Sequence, residues 1–269
     1  MVKQLVTIGD SWTYGSEIRD PSLPNSVFDW DPENDAYRLP KIWPTKLGER
    51  LNTEVVNLSF PAASNDRSVR VLTGWLTQEY LTPKKPTDDL FVIVGLTSPE
   101  RKDFYYKETP SRGRNGWMTI WPMWEHKYYT DEVQDFVKLY VSNFWSEEES
   151  TSRYIQQLFY LQTFFKLYNI KYLFFQAFYQ FKNVRIQDWV DSPYQRNYRG
   201  QVDHLLWEMI DPVRFLRKND DIHSFHNYIS SLDNTPDKSQ CFIGQHPSEL
   251  GHTWWANHIF EYCQEHNLW

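Results

Sequence analysis

LFVIVGL, residues 90–96, is apolar in succession rather than in alternation. A strand that is apolar on both faces is covered on both faces, and such strands sit in the middle of parallel sheets flanked by helices. KQLVTIGD (3–10), TEVVNLSF (53–60) and KYLFFQAF (171–178) carry the same signature. Between them, apolar residues recur at helical spacing. Trp43, Leu47 and Leu51 mark one helix, and Val69, Leu72 and Leu76 mark another that starts near Asn65. Helical periodicity returns from Asp131 to about Tyr168, and Leu205, Met209 and Val213 point to a further short helix. The last element is a helix that begins at HPSELGH (246–252) and continues through Trp255, Ile259 and Tyr262, with Pro247 expected in its first turn.

Strands alternating with helices specify an α/β domain with a central parallel sheet. Residues 1–269 are read as one such domain with long loop insertions at about 17–40, 97–130 and 180–240. The second insertion is too long for a plain connection, which marks it as functional. No internal repeat or low-complexity tract interrupts the pattern. In a parallel sheet of this kind, ligands bind at the carboxyl ends of the strands, so residues 9–15, 59–66 and 95–101 share one rim.

Composition narrows the function. Hydrophobic residues are 41% and charged residues 23% of the 269, as in a soluble globular chain. With 35 acidic and 28 basic residues the net charge is −7, and no basic run stands out, so nucleic acid is not an expected partner. No apolar run is long enough to span a membrane, and MVKQLVTIGD enters a strand without a signal-peptide pattern. A cytoplasmic location is expected. Cys241 and Cys263 offer neither a disulfide framework nor zinc spacing. The 13 Trp, 17 Tyr and 17 Phe exceed what one core of this size needs, which places many rings at a surface or an oligomer interface.

The first strand ends on Gly9-Asp10-Ser11, which presents a serine at the binding rim. An isolated triplet of this kind is most often a turn or a helix cap. Serine becomes a nucleophile only when a base takes its proton, and HPSELGH supplies two histidines, His246 before the last helix and His252 inside it. His246 is the candidate base.

Four ordered blocks carry a resemblance: GDSW (9–12), NLSFPAASNDR (57–67), GLTSPER (95–101) and HPSELGH (246–252). They resemble those of the SGNH (GDSL-type) hydrolase superfamily, and the second and third blocks are similar to members encoded by tailed bacteriophages. The resemblance implies a flavodoxin-like three-layer α/β/α sandwich and hydrolysis of acyl esters on carbohydrate or lipid, with no cofactor and no metal. It implies Ser11 as nucleophile and His246 as general base. The oxyanion hole would combine the backbone N–H of Ser11, a backbone N–H near Ala62, and a side chain, Thr97 or Asn65. Asp10 is read as structural, tying the adjoining loops.

The chain departs from the family pattern in three places. Ala62 stands for a glycine, Thr97 for an asparagine, and Ile243 occupies the position three residues before the histidine where an aspartate is expected. A main-chain carbonyl of Phe242 or Ile243, or the carboxylate of Asp237, is left to orient His246. Trp12 and the loop aromatics Trp117, Trp121 and Trp124 are candidate substrate contacts, since flat rings suit the apolar faces of sugars. Two other readings stay open: a binding or virion-associated structural protein that kept the fold without the chemistry, and a metal site in NDDIHSFH from Asp220, Asp221, His223 and His226.

Overall fold

The computed structural model describes residues 2–107, 116–122, 129–178, 205–218, 220, 223–236 and 238–269. Four parallel strands form the central sheet: β1 (Gln4–Ile8), β2 (Glu54–Asn57), β3 (Leu90–Leu96) and, after a β4–β5 hairpin (Lys102–Tyr105, Trp117–Ile120), β6 (Lys171–Gln176). Their spatial order is β2-β1-β3-β6. Beyond β6, residue Phe174 bridges to Phe215 in parallel, with Phe174 N–H donating to Arg214 O and Leu216 N–H to Phe174 O. The chain thus winds outward in both directions from β1 and β3, the flavodoxin-like order, and the switch point lies between those two strands.

Side chains alternate across the sheet and meet helices on both faces. The helices are α1 (Ser11–Tyr14), α2 (Asp35–Arg38), α3 (Trp43–Leu51), α4 (Asn65–Leu76), α5 (Asp131–Asn143), α6 (Glu147–Leu167), α7 (Leu205–Glu208), α8 (Phe225–Leu232) and α9 (Glu249–Glu265). Val6, Val92, Val94 and Phe174 pack with Leu72 and Leu76 of α4, Leu158 and Phe165 of α6, and Trp207 of α7. Leu5, Phe91, Ile93 and Phe175 pack on the opposite face with Trp43 and Leu47 of α3, Phe225 of α8, and Trp255 and Ile259 of α9. This is the three-layer sandwich that the blocks imply. Both faces of β3 are sealed, which is why its sequence shows no polar alternation.

Three local readings change. The periodic segment 131–168 is two helices, because Ser146 caps α6 by accepting from Glu149 N–H and so starts a new helix at Glu147. The cap of α9 is Ser248, which places Pro247 outside the first turn, in a short strand β8 (His246–Pro247) paired with β7 (Phe242–Ile243). The insertion after β3 contains the antiparallel β4–β5 hairpin, whose Met118 and Ile120 make a separate small core with Val133, Val137 and Tyr140 of α5. Asp103 anchors that hairpin: it accepts from Ser64 Oγ at 2.5 Å, Thr119 Oγ1 at 2.8 Å and Arg70 at 2.9 Å.

Candidate active site

Asp10 begins the site by capping α1. Its Oδ1 accepts from Trp12 N–H at 3.0 Å, and Gly15, at φ +87°, ends the helix after a single turn. The turn lies close against the sheet because two positions lack side chains. A Cβ at Gly9 would stand 2.5 Å from Thr13 Oγ1, and one at Gly95 would stand 2.7 Å from the same atom. Ser11 is thereby fixed at the carboxyl end of β1, next to β3, at the switch point of the sheet.

The other Asp10 oxygen ties three loops together. Oδ2 accepts from Thr97 Oγ1 at 2.6 Å and from Arg101 at 3.2 Å, and the same Arg101 nitrogen reaches Ala63 O at 3.2 Å. Asp10 is structural, as its sequence position suggests. Asn65 bonds the backbone of Thr97 in both directions, Nδ2 to Thr97 O and Thr97 N–H to Oδ1, each at 3.0 Å.

These contacts sort the candidate oxyanion donors. A hydroxyl has one proton, and that of Thr97 goes to Asp10, so Thr97 does not serve as a donor to substrate. Asn65 spends one of its two amide protons on Thr97 O and keeps the other. Ala62 adopts φ +54°, the left-handed conformation a glycine would take without strain. Neither Ser11 N–H nor Ala62 N–H donates to a described residue. Phe60 N–H donates to Gly9 O at 3.2 Å, which brings the Ala62 turn alongside the Ser11 turn.

His246 arrives from the other end of the chain. Residues of α1 and β8 come within 8 Å of each other, Cα to Cα, which brings the histidine strand to the Ser11 turn. His252 is excluded as the base: it is wholly buried, its Nδ1 accepts from Trp43 N–H at 3.2 Å, and burial pushes its pKa down to about 3. It is a neutral packing residue that joins α9 to α3.

Glu17 is a residue of this site that the sequence reading missed. Its Oε2 lies 3.1 Å from His246 Nδ1 and accepts from Gln245 N–H at 3.0 Å. The ring nitrogen is buried, and its N–H is not aligned on the carboxylate in this geometry. Asp237, the acid expected near the histidine, lies outside the described residues. The one available signal was the missing acid itself, which directs attention to carboxylates on the loop after Ser11.

The aromatic candidates separate. Trp12 is 3% exposed, held edge-on by Phe178 and Phe225 with ring centroids at 5.2 and 5.3 Å, and so faces the core rather than substrate. Consecutive helical residues point about 100° apart, so Ser11 at the rim sends its neighbour inward. Trp121 is half-buried with the Arg101 guanidinium 4.8 Å from its ring, which places it beside the Asp10 network. Trp117 lies further along the hairpin, under the Arg70 guanidinium at 3.9 Å. Trp124 lies outside the described residues.

The proposed metal ligands do not form a site among the described residues. His223 Nδ1 stands 3.1 Å from His258 Nε2, while His226 hydrogen-bonds Asn227 and packs 5.6 Å from the Trp12 ring. Asp221 is outside the described residues, and among those described no group of three or more His, Cys, Asp or Glu side chains could hold a metal ion. Likewise, no helix among them is long and apolar enough to cross a membrane.

Comparison with known proteins gives one family and several solved structures. The profile of a family of unknown function, DUF6071, matches residues 22–217, a span that holds Ala62, Asn65 and Thr97 but not Ser11, Glu17 or His246. No curated protein matches the sequence. Among solved structures the chain is similar to TesA, at 11% identity over 98% of this chain and 99% of that one, with TM-score 0.48. It is similar to the psychrotrophic esterase EstA from Pseudoalteromonas sp., at 10% identity over 98% and 97%, with TM-score 0.45. It is also similar to a mutant of Axe2, an acetyl-xylooligosaccharide esterase from Geobacillus, at 17% identity over 97% and 93%, with TM-score 0.47.

Proposed function

The chain belongs to the DUF6071 family, described as of unknown function, and from its site we propose that it is a serine ester hydrolase of SGNH type. The observation that carries the reading is the meeting of the Ser11 turn with the His246 strand at the switch point of the sheet. On this reading Ser11 is the nucleophile and His246 the base, and their elements meet where this architecture binds ligands.

In the proposed reaction the Ser11 hydroxyl attacks the ester carbonyl while His246 Nε2 takes its proton. The carbonyl electrons move to oxygen, and the backbone N–H groups of Ser11 and Ala62, with the remaining Asn65 amide proton, receive that charge. Each such donor is worth about 3 kcal/mol to the transition state. Collapse of the intermediate expels the alcohol, which takes the proton back from His246 and leaves an acyl group on Ser11. Water, deprotonated by His246, then releases the acid by the same route in reverse. An acylated carbohydrate is the proposed substrate class, with Trp121, half-buried beside Arg101 of the Asp10 network, as the candidate aromatic contact.

Hydrolysis of p-nitrophenyl acetate and of an acetylated oligosaccharide by the wild type and by Ser11→Ala tests the proposal. Turnover is expected to fall at least about 10³-fold in the variant. A serine-directed phosphonate should label the wild type alone. A wild type that is both inert and unlabelled would leave a binding or structural protein as the better reading.

A further inference from the structure

We propose that Glu17 positions His246, taking from a new place in the chain the part for which Ile243 supplies no carboxylate. The inference rests on the reading of Ser11 and His246 as a catalytic pair. Glu17 follows Ser11 by six residues, so the acid comes from the serine's loop rather than from the histidine's.

The surroundings of Glu17 are built for a carboxylate at this point. Residues 243–246 form a tight two-residue hairpin turn in which Ile243 and His246 are directly paired. Gly244 in that turn has φ +57°, and a Cβ there would stand 2.5 Å from Glu17 Oε2 and 3.0 Å from its Cδ. Only glycine lets the carboxylate enter the turn. Once inside, Oε2 accepts the Gln245 N–H at 3.0 Å and lies 3.1 Å from His246 Nδ1. Ile243, paired with His246 on the partner strand, is exposed.

Glu17 itself is held in a strained conformation. It has φ +68°, unfavourable for a residue with a side chain, and its N–H donates to Asp29 Oδ2 at 2.6 Å. Asn34 secures that loop from below, donating to Ile18 O at 2.8 Å and to Asp29 O at 2.9 Å while accepting from Asp20 N–H at 2.9 Å. A polar network anchored on the buried Asn34 thus maintains an uncommon backbone angle at the exposed Glu17, and its result is one carboxylate beside one imidazole.

A carboxylate at Nδ1 selects the tautomer with its proton on that nitrogen, which leaves Nε2 free to accept from Ser11. It also stabilises the imidazolium formed during the reaction. The approach seen is off the N–H line, so the proposal requires the ring to turn toward Glu17 in the working enzyme. Catalytic hydrogen bonds are commonly loose before substrate binds.

The experiment pairs kinetics with the low-field proton spectrum. In Glu17→Gln, kcat on p-nitrophenyl acetate should fall about 10²- to 10⁴-fold with KM little changed. Glu17→Asp, one methylene shorter, should recover part of the rate. The hydrogen-bonded His246 Nδ1 proton should be visible at low field in the wild type and in Ser11→Ala, absent in His246→Ala, and lost in Glu17→Gln. Retention of that resonance and of kcat in Glu17→Gln would overturn the inference. A wild type inert toward esters would sink the hydrolase reading instead, and the resonance alone would then decide whether Glu17 holds the ring. Should Glu17→Gln not fold, Glu17→Asp carries both readouts, and an unchanged rate and resonance there would count against the proposal.

Discussion

Thr97 Oγ1 and Asp10 Oδ2 stand 2.6 Å apart in the interior, joining the end of β3 to the cap of α1. The hydroxyl that by sequence position pointed to substrate instead supports the aspartate that fixes the nucleophile turn. Thr97→Val should therefore act on the fold first. It leaves Asp10 short of one donor in a buried site, which costs about 1–3 kcal/mol. Urea unfolding of Thr97→Val and Thr97→Ser measures it. Serine keeps the hydroxyl and should restore most of the stability, and it should restore turnover with it.

Ala62 holds φ +54° in the turn that supplies a candidate oxyanion N–H. An L-residue there is strained by about 1 kcal/mol, partly offset by the lower entropy of alanine in the unfolded chain. Ala62→Gly should leave stability unchanged or raise it by up to about 1 kcal/mol, and should keep esterase turnover, since the N–H and its direction persist. Ala62→Val, β-branched and poorly suited to this region, should destabilise. Thermal melts of the three proteins rank them, and an Ala62→Gly protein less stable than wild type would contradict the strain argument.

The sheet was legible because β1, β3 and β6 are covered on both faces, and continuous apolar runs such as 90–96 have few other readings. The positions of Ser11 and His246 at element boundaries were legible through local motifs. The β4–β5 hairpin was not, because Lys102, Asp103 and Thr119 interrupt its apolar alternation and their partners, Glu149, Ser64 and Arg70 among them, lie elsewhere in the chain. Glu17 was hidden for the same reason: its contacts at 244–246 lie across the length of the chain, and nothing in its own neighbours marks it. Trp12 misled because adjacency to Ser11 in sequence is not adjacency in direction on a helix.

His252 makes the chain acid-sensitive. Burial lowers its pKa from 6.5 to about 3, and it lowers that of His258 to about 3 as well. Between those values the unfolded chain binds protons that the folded chain refuses, so stability falls as pH drops below about 6.5. For one such histidine the loss by pH 5 is about 2 kcal/mol. His252→Asn retains an acceptor for Trp43 N–H and removes the titration. Its unfolding free energy should fall less steeply than that of the wild type as pH drops from 6 to 4, as read by urea denaturation. An unchanged slope would show that His252 is not the source.

Glu100 works in the opposite direction. It is 5% exposed near the end of β3, and burial pushes its pKa up from 4.5 to about 7, although the Ser98 hydroxyl on Oε2 favours the ionised form. In that window the folded chain keeps a proton that the unfolded chain has released. The contribution of Glu100 is therefore complete below about pH 4.5 and is lost as pH rises toward 7. Glu100→Gln fills the same space with a neutral amide and has no proton to lose. At pH 8 it should be more stable than wild type by up to about 3 kcal/mol, while at pH 4 the two should coincide apart from any change in the hydrogen bond to Ser98. The two windows overlap between about pH 4.5 and 6.5, where two buried histidines outweigh one buried carboxyl, so on these groups the wild type should be most stable near pH 6.5. Removing Glu100 should broaden that maximum toward alkaline pH. A Glu100→Gln curve parallel to wild type across pH 4 to 8 would mean that the carboxyl reaches solvent and ionises without cost.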